Sequence, residues 1–139
     1  MTGKEKGYSL VELLLVAVII MIISAMAIPY LMKAVGAAEN SSVFASLKTF
    51  SASQVSYYTA NGRYARLDEL NAAENGRLGT TVGSDVVRGI YTFTMTPAAP
   101  TNLQLRDNFT IVASKSSNYD RTPYIISLDA SGQITQIFP

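Results

Sequence analysis

Residues 7–32 read GYSLVELLLVAVIIMIISAMAIPYLM, and this stretch decides the architecture of the chain. Between residues 13 and 32 only Ser24, Pro29 and Tyr30 interrupt an apolar run, and 11 of those 20 residues are Leu, Ile or Val. Twenty residues of α-helix rise about 30 Å, the thickness of a bilayer's hydrocarbon core, so the run reads as a transmembrane helix. Each Leu, Ile or Val favours insertion by roughly 0.3–0.6 kcal/mol, against a cost of roughly 3 kcal/mol for a central acidic residue. A single carboxylate at the rim, Glu12, does not prevent insertion. Lys4 and Lys6 precede the span, and the positive-inside bias puts that end in the cytoplasm and the rest of the chain on the far side.

Two other readings of the same stretch are open. A secretory signal peptide would share the basic start and the apolar core, with Ala25-Met26-Ala27 as its small-residue cleavage site. It would release a soluble exported binding domain after Ala27. A plain single-span anchor is the other. Against the first, Glu12 opens the apolar run and Pro29 follows the small-residue site within what reads as continuing helix. Against the second, an ionisable residue at the rim of a span is a candidate functional group, because lipid offers it no partner.

Composition narrows the rest. Of 139 residues, the apolar stretch leaves only about 80 for a globular head, a size that usually needs a staple. There is no Cys and no His, which excludes disulfides and the usual ligands of zinc. Ser-His-Asp and Cys-His arrangements are excluded with them. The adjacent carboxylates Asp68 and Glu69 read as solvated surface charge. The chain is therefore expected to be no enzyme, with no catalytic residues, no cofactor and no metal. Its formal charge of +1 comes from Lys4, Glu5 and Lys6 together, leaving zero over residues 8–139, so no nucleic-acid footprint is expected.

Beyond the span, Val43, Phe44, Leu47, Phe50, Val55, Tyr57 and Tyr58 fall within a sector of about 160° at 100° per residue. Ser46, Thr49, Ala52, Ser53 and Ser56 lie opposite. One helix is expected from about Ser9 to Ala60, with Pro29 as a kink or loose point and Asn61-Gly62 as its stop. Residues 75–87, with Gly76, Gly79 and Gly83, read as an irregular surface loop. Alternation in Tyr91, Phe93, Met95 and in Phe109, Ile111, Ala113 predicts strands, and residues 124–128 and 134–138 predict a hairpin across Asp129-Ala130-Ser131-Gly132. Residues 118–123, including Tyr119, read as a loop. The expected fold is α+β: a long N-terminal helix, its first half transmembrane, packed by its second half against an antiparallel sheet of three to four strands. The triplets Asn40-Ser41-Ser42 and Asn108-Phe109-Thr110 are read as chance matches to a glycosylation pattern.

Gly7-Tyr8-Ser9-Leu10-Val11-Glu12-Leu13 resembles the cleavage and methylation site of type IV pilins and type II secretion pseudopilins. The resemblance combines a short basic leader, Gly before the cut, Glu as the fifth residue from Tyr8, and a long apolar helix with Pro29 at the family's usual place. It implies cleavage between Gly7 and Tyr8 by a prepilin peptidase, N-methylation of Tyr8, and assembly through Glu12 and Pro29 into a helical filament of identical subunits. An inner-membrane platform and its cytoplasmic ATPase are the implied partners. The precursor would sit in the inner membrane and the mature chain in an extracellular or periplasmic filament. The implied division is a leader at 1–7, a membrane and filament-core segment at 8–36, and a head at 37–139. Tyr8 stands where the family more often has Phe, and the Cys pair of many type IV pilins is absent.

Overall fold

The computed structural model describes residues 7–115 and 124–138. The basic residues Lys4 and Lys6, and the loop expected at 118–123 with Tyr119, lie outside the described residues. The chain divides into two compact units, Met1–Asn40 and Ser41–Pro139. One helix, α1 (Leu10–Asn61), contributes to both.

In the first unit α1 starts where the Ser9 carbonyl accepts the Glu12 and Leu13 amides at 3.0 and 3.1 Å. The helix is unbroken through Pro29 and Gly36. Proline has no N–H to give the Ala25 carbonyl, so the expected weak point remains chemically in place within a continuous helix.

The second unit is α+β. After α1 come α2 (Leu67–Ala73), β1 (Thr80–Val82), β2 (Asp85–Arg88), β3 (Tyr91–Met95), α3 (Gln104–Asp107), β4 (Thr110–Lys115), β5 (Ile125–Asp129) and β6 (Ile134–Phe138). The six strands form one antiparallel meander in sequence order. The sequence pattern predicts three to four, and the hairpin β1–β2 accounts for the excess: it occupies the stretch that reads as loop. Gly83-Ser84 is its two-residue turn, since Val82 pairs with Asp85. Gly79 enters β1 at φ +154°, and a Cβ there would lie 2.5 Å from the Val87 carbonyl oxygen. Gly79, one of the glycines that weaken the strand signal in the sequence, is what lets this strand approach its neighbour so closely.

Side chains alternate across the central strands. Val86, Phe93, Ala113 and Ile126 are aligned in register and buried, as are Met95, Ile111 and Leu128. They meet Val43, Leu47 and Phe50 of α1, with the Phe50 and Phe93 rings 4.7 Å apart.

The face that α1 turns inward differs from the apolar sector read in the sequence. Val43, Ser46, Leu47, Phe50, Ser53 and Gln54 are buried, whereas Val55 and Tyr58 are exposed. The buried stripe is thus rotated by roughly 60° toward the serine side. Two causes are visible. Serine is small enough to admit close packing, and Ser46 returns its hydroxyl to the Ser42 carbonyl at 2.9 Å. Gln54 is fully buried because its amide donates to the Ala65 carbonyl and accepts the Ala65 N–H, both at 2.8 Å.

The helix stops as expected. Gly62, at φ +68°, donates its N–H to the Tyr58 carbonyl at 2.8 Å, and Asn61 turns its amide onto the Tyr57 carbonyl at 3.0 Å. A second buried amide holds the next turn of chain: Asn71 donates to the Gly79 carbonyl and the Thr81 hydroxyl, and accepts the Leu78 N–H at 3.1 Å. Glu69 meets Arg63 at 2.8 Å and Arg66 at 3.1 Å, while Arg66 also donates to the Pro100 carbonyl.

This packing can be tested by truncation and by pH. A chain beginning at Ala37 is expected to fold as a soluble, cooperative unit whose melting is indifferent to thiol reductant, there being no Cys. In it Gln54→Ala strands two buried backbone groups at Ala65 and is expected to cost about 2–4 kcal/mol in urea titrations, against under about 0.5 kcal/mol for exposed Val55→Ser. The pH test concerns Glu69. The hydrogen bond from Arg63, assisted by the Arg66 amide and by both guanidinium charges, holds the Glu69 carboxyl below the usual range for glutamate. A carboxyl depressed on folding stabilises the native state above its unfolded-state pKa, and that contribution is lost as pH falls through the native value. The stability margin of the wild type over Glu69→Gln should therefore be full at pH 7 and shrink below about pH 4.5. A margin unchanged down to pH 3 would show that the ion pair contributes nothing to the fold.

Candidate functional site

The residues singled out for processing and assembly lie in the first unit. Gly7, Tyr8 and Ser9 precede α1 in non-helical backbone, and Tyr8 is 83% exposed. A Cβ on Gly7 would meet nothing within 4 Å, and its φ lies outside the left-handed region. Gly79 is a useful contrast, since there the fold itself forbids a side chain. Nothing within the described residues requires glycine at position 7, so any such requirement comes from a molecule that reads the segment from outside.

Glu12 is the acidic residue of the first turn of α1. Its backbone N–H closes that turn onto Ser9, and its side chain is exposed. An acidic residue in a first turn is favourable toward the helix dipole by about 0.3–1 kcal/mol, which gives Glu12 an ordinary local reason to be there. That benefit is obtainable from any carboxylate in the first turn and does not explain one at the border of an apolar run. Among the described residues Glu12 forms no ion pair. Its carboxylate is available to a cation, such as an amine four residues toward the N-terminus or on another molecule.

From Glu12 the helix presents a continuous apolar surface. Every apolar side chain larger than alanine between residues 10 and 32 is exposed, from Leu10 at 78% to Val18 at 45%. A patch of this size is far beyond what a soluble monomer leaves to water, and it marks contact with lipid or with other protein. The sequence expectations of a spanning helix and of Gly7, Tyr8, Glu12 and Pro29 on or just before it thus fall on one element. Pro29 lies seventeen residues after Glu12, so the two act at separate heights along α1.

The second unit offers less. A shallow groove of about 300 Å³ is lined by Met95, Pro97, Pro100, Leu105 and Phe109, and another of about 220 Å³ runs beside Tyr57, Asn61 and Glu74. Neither brings together a nucleophile, a base and an orienting partner. What sequence reasoning missed are the two amide clamps. Gln54 could have been found, because it continues the 4-3-4 spacing of Val43, Leu47 and Phe50 and so stands at a core position. Asn71 carries no such signal before the β1–β2 hairpin is known.

Comparison with known families bears on the N-terminal segment. Residues 2–28 match the family model described as the prokaryotic N-terminal methylation motif, the signature of type IV pilins and pseudopilins. The match covers the segment that holds Gly7, Tyr8 and Glu12 and ends just before Pro29. Searches of curated proteins and of solved structures found no match to this chain.

Proposed function

We propose, for a chain that carries the methylation motif of type IV pilins and pseudopilins and a long apolar N-terminal helix, that it is a structural subunit of a type IV pilus or related pseudopilus. The observation that carries this reading is the coincidence of the 2–28 match with a helix whose apolar face is wholly exposed. A prepilin peptidase removes residues 1–7 at the cytoplasmic face by cutting after Gly7, and the new amine of Tyr8 is methylated. The chain waits in the inner membrane until a platform protein, driven by a cytoplasmic ATPase, adds it to the filament. There α1 segments bundle as the core, and the sheet-bearing units form the outside. The chain performs no catalysis of its own in this reading, and the lack of Cys and His supports that.

Glu12 has a specific part in this scheme. Its removal would ease membrane insertion by a few kcal/mol, so stability in the bilayer is not its purpose. At the apolar boundary an opposite charge within a few ångströms interacts far more strongly than in water. The amine created at Tyr8 supplies that charge, in the same subunit or the next, and the pair sets the axial register as a subunit docks. Pro29 provides the point at which α1 can loosen and extend.

The intact mass of the native protein tests the first step: the expected species begins at Tyr8 and carries one added methyl group. Gly7→Val is expected to leave a full-length, membrane-held precursor. A mature chain beginning at Ile28 would instead establish the signal-peptide alternative and end the pilin reading. For the second step, Glu12→Leu is expected to insert, to be cut at Tyr8 and to accumulate in the membrane, with fibre yield reduced at least about tenfold, a loss of about 1.4 kcal/mol or more in docking. Wild-type fibre yield from both Glu12→Leu and Glu12→Gln would refute the register role.

A further inference from the structure

Residues 13–38 contain one charged side chain, Lys33, and the next is Glu39. Lys33 is exposed, and it has no hydrogen bond or ion pair among the described residues. One turn before it, at the i, i+3 spacing that puts two side chains on the same helix face, stands Tyr30, 74% exposed. Lys33 also decides how long the apolar span is. With it, the charge-free run is residues 13–32, about 30 Å of helix; without it the run would extend through residue 38, about 39 Å. The shorter length matches a bilayer's hydrocarbon core and the longer exceeds it by about 9 Å.

We propose that Lys33, with Tyr30 beside it, is a phospholipid-headgroup site that fixes the depth of α1 at the outer leaflet, which rests on the membrane-held precursor proposed above. The ligand is the phosphodiester of a membrane lipid. The ammonium group on a four-carbon stem lays its methylenes along the apolar surface and reaches up to the phosphate. Tyr30 has the amphipathic ring that settles at the interface, its hydroxyl among the headgroups and its ring against the acyl chains. Glu12 closes the same run at its other end, so the two charges bracket one hydrocarbon thickness. The site holds the waiting subunit at a set height in the bilayer and is vacated when the subunit leaves the lipid.

The native absence of Cys makes the test clean, since any introduced thiol is the only one. Gly36→Cys suits it, because a Cβ there meets nothing within 4 Å. The full chain carrying Gly36→Cys is placed at high lipid-to-protein ratio in vesicles of phosphatidylethanolamine and phosphatidylglycerol and labelled with a membrane-impermeant maleimide. Labelling is referenced to Arg77→Cys, an exposed position in the second unit. With Lys33 present, the thiol at position 36 should label nearly as fast as the reference; in the Lys33→Leu background its rate should fall about fivefold as the span slides inward, and Lys33→Arg should restore it. Equal rates in the wild-type and Lys33→Leu backgrounds overturn the proposal. So does a fall that appears only when protein density is raised, which would assign Lys33 to a carboxylate on a second copy. If alkaline carbonate strips the Gly36→Cys chain from the vesicles, the membrane-spanning reading has failed and the headgroup site falls with it.

Discussion

The Gln54 side chain closes a two-point contact on the backbone of Ala65, and the path from helix to sheet in the second unit hangs on it. An amide side chain carries an N–H donor and a C=O acceptor on one carbon, both pointing the same way, so it can engage the C=O and the N–H of Ala65 together. That contact returns the chain along α1 immediately after the stop at Gly62 and buries Ala65, Leu67 and Leu70 in the core. Removing one partner of such a pair leaves buried backbone groups unsatisfied, which costs more than the bonds contribute on balance. Asn71 repeats the device one segment later, joining α2 to the entry of β1. With neither Cys nor His in the chain, these two amides do at short range what a disulfide does in many small exported domains.

Around the clamps the aromatic side chains continue the same seam. The rings of Tyr58, Tyr64 and Phe109 pack in succession, tilted and then edge to face, at centroid distances of 4.7 and 4.6 Å, linking the end of α1 to the start of β4. Arg63 lies over the Tyr57 ring at 5.6 Å while its guanidinium holds Glu69. The helix end, the return segment and the sheet are therefore tied by polar contacts at the centre and by ring packing toward the rim. All of these contacts lie within the second unit.

The two units obey opposite rules for the same physical reason. In the second, apolar area is removed from water by the chain itself, at about 25 cal/mol per Å². In the first, the chain offers no cover for its apolar side chains between residues 10 and 32, and folding alone gains nothing from them. Stability there has to come from the surroundings. A helix suits either environment, since its backbone bonds are satisfied within the segment whether lipid or other helices surround it. This is the physical sense in which the role proposed for α1, membrane anchor first and assembly core later, is open to a single element.

Features that depend on local chemistry or on a strong period were legible in the order of residues alone. The apolar run, the stop at Asn61-Gly62, the alternation of Tyr91, Phe93 and Met95, the hairpin of β5 and β6, and the grouping of Gly7, Tyr8 and Glu12 at the start of the helix are all of that kind. Each is set by neighbours within a few residues, so the signal survives without knowledge of the fold. Which side of α1 faces the sheet was settled by the folded arrangement instead, because burial of Ser46 and Ser53 over Val55 and Tyr58 follows from where Gln54 meets Ala65, eleven residues away. The existence of β1 and β2 was settled in the same way. Their glycines oppose strand formation locally, and what overrides them is the close approach of Gly79 to the Val87 carbonyl together with the hold of Asn71, contacts that no local window contains.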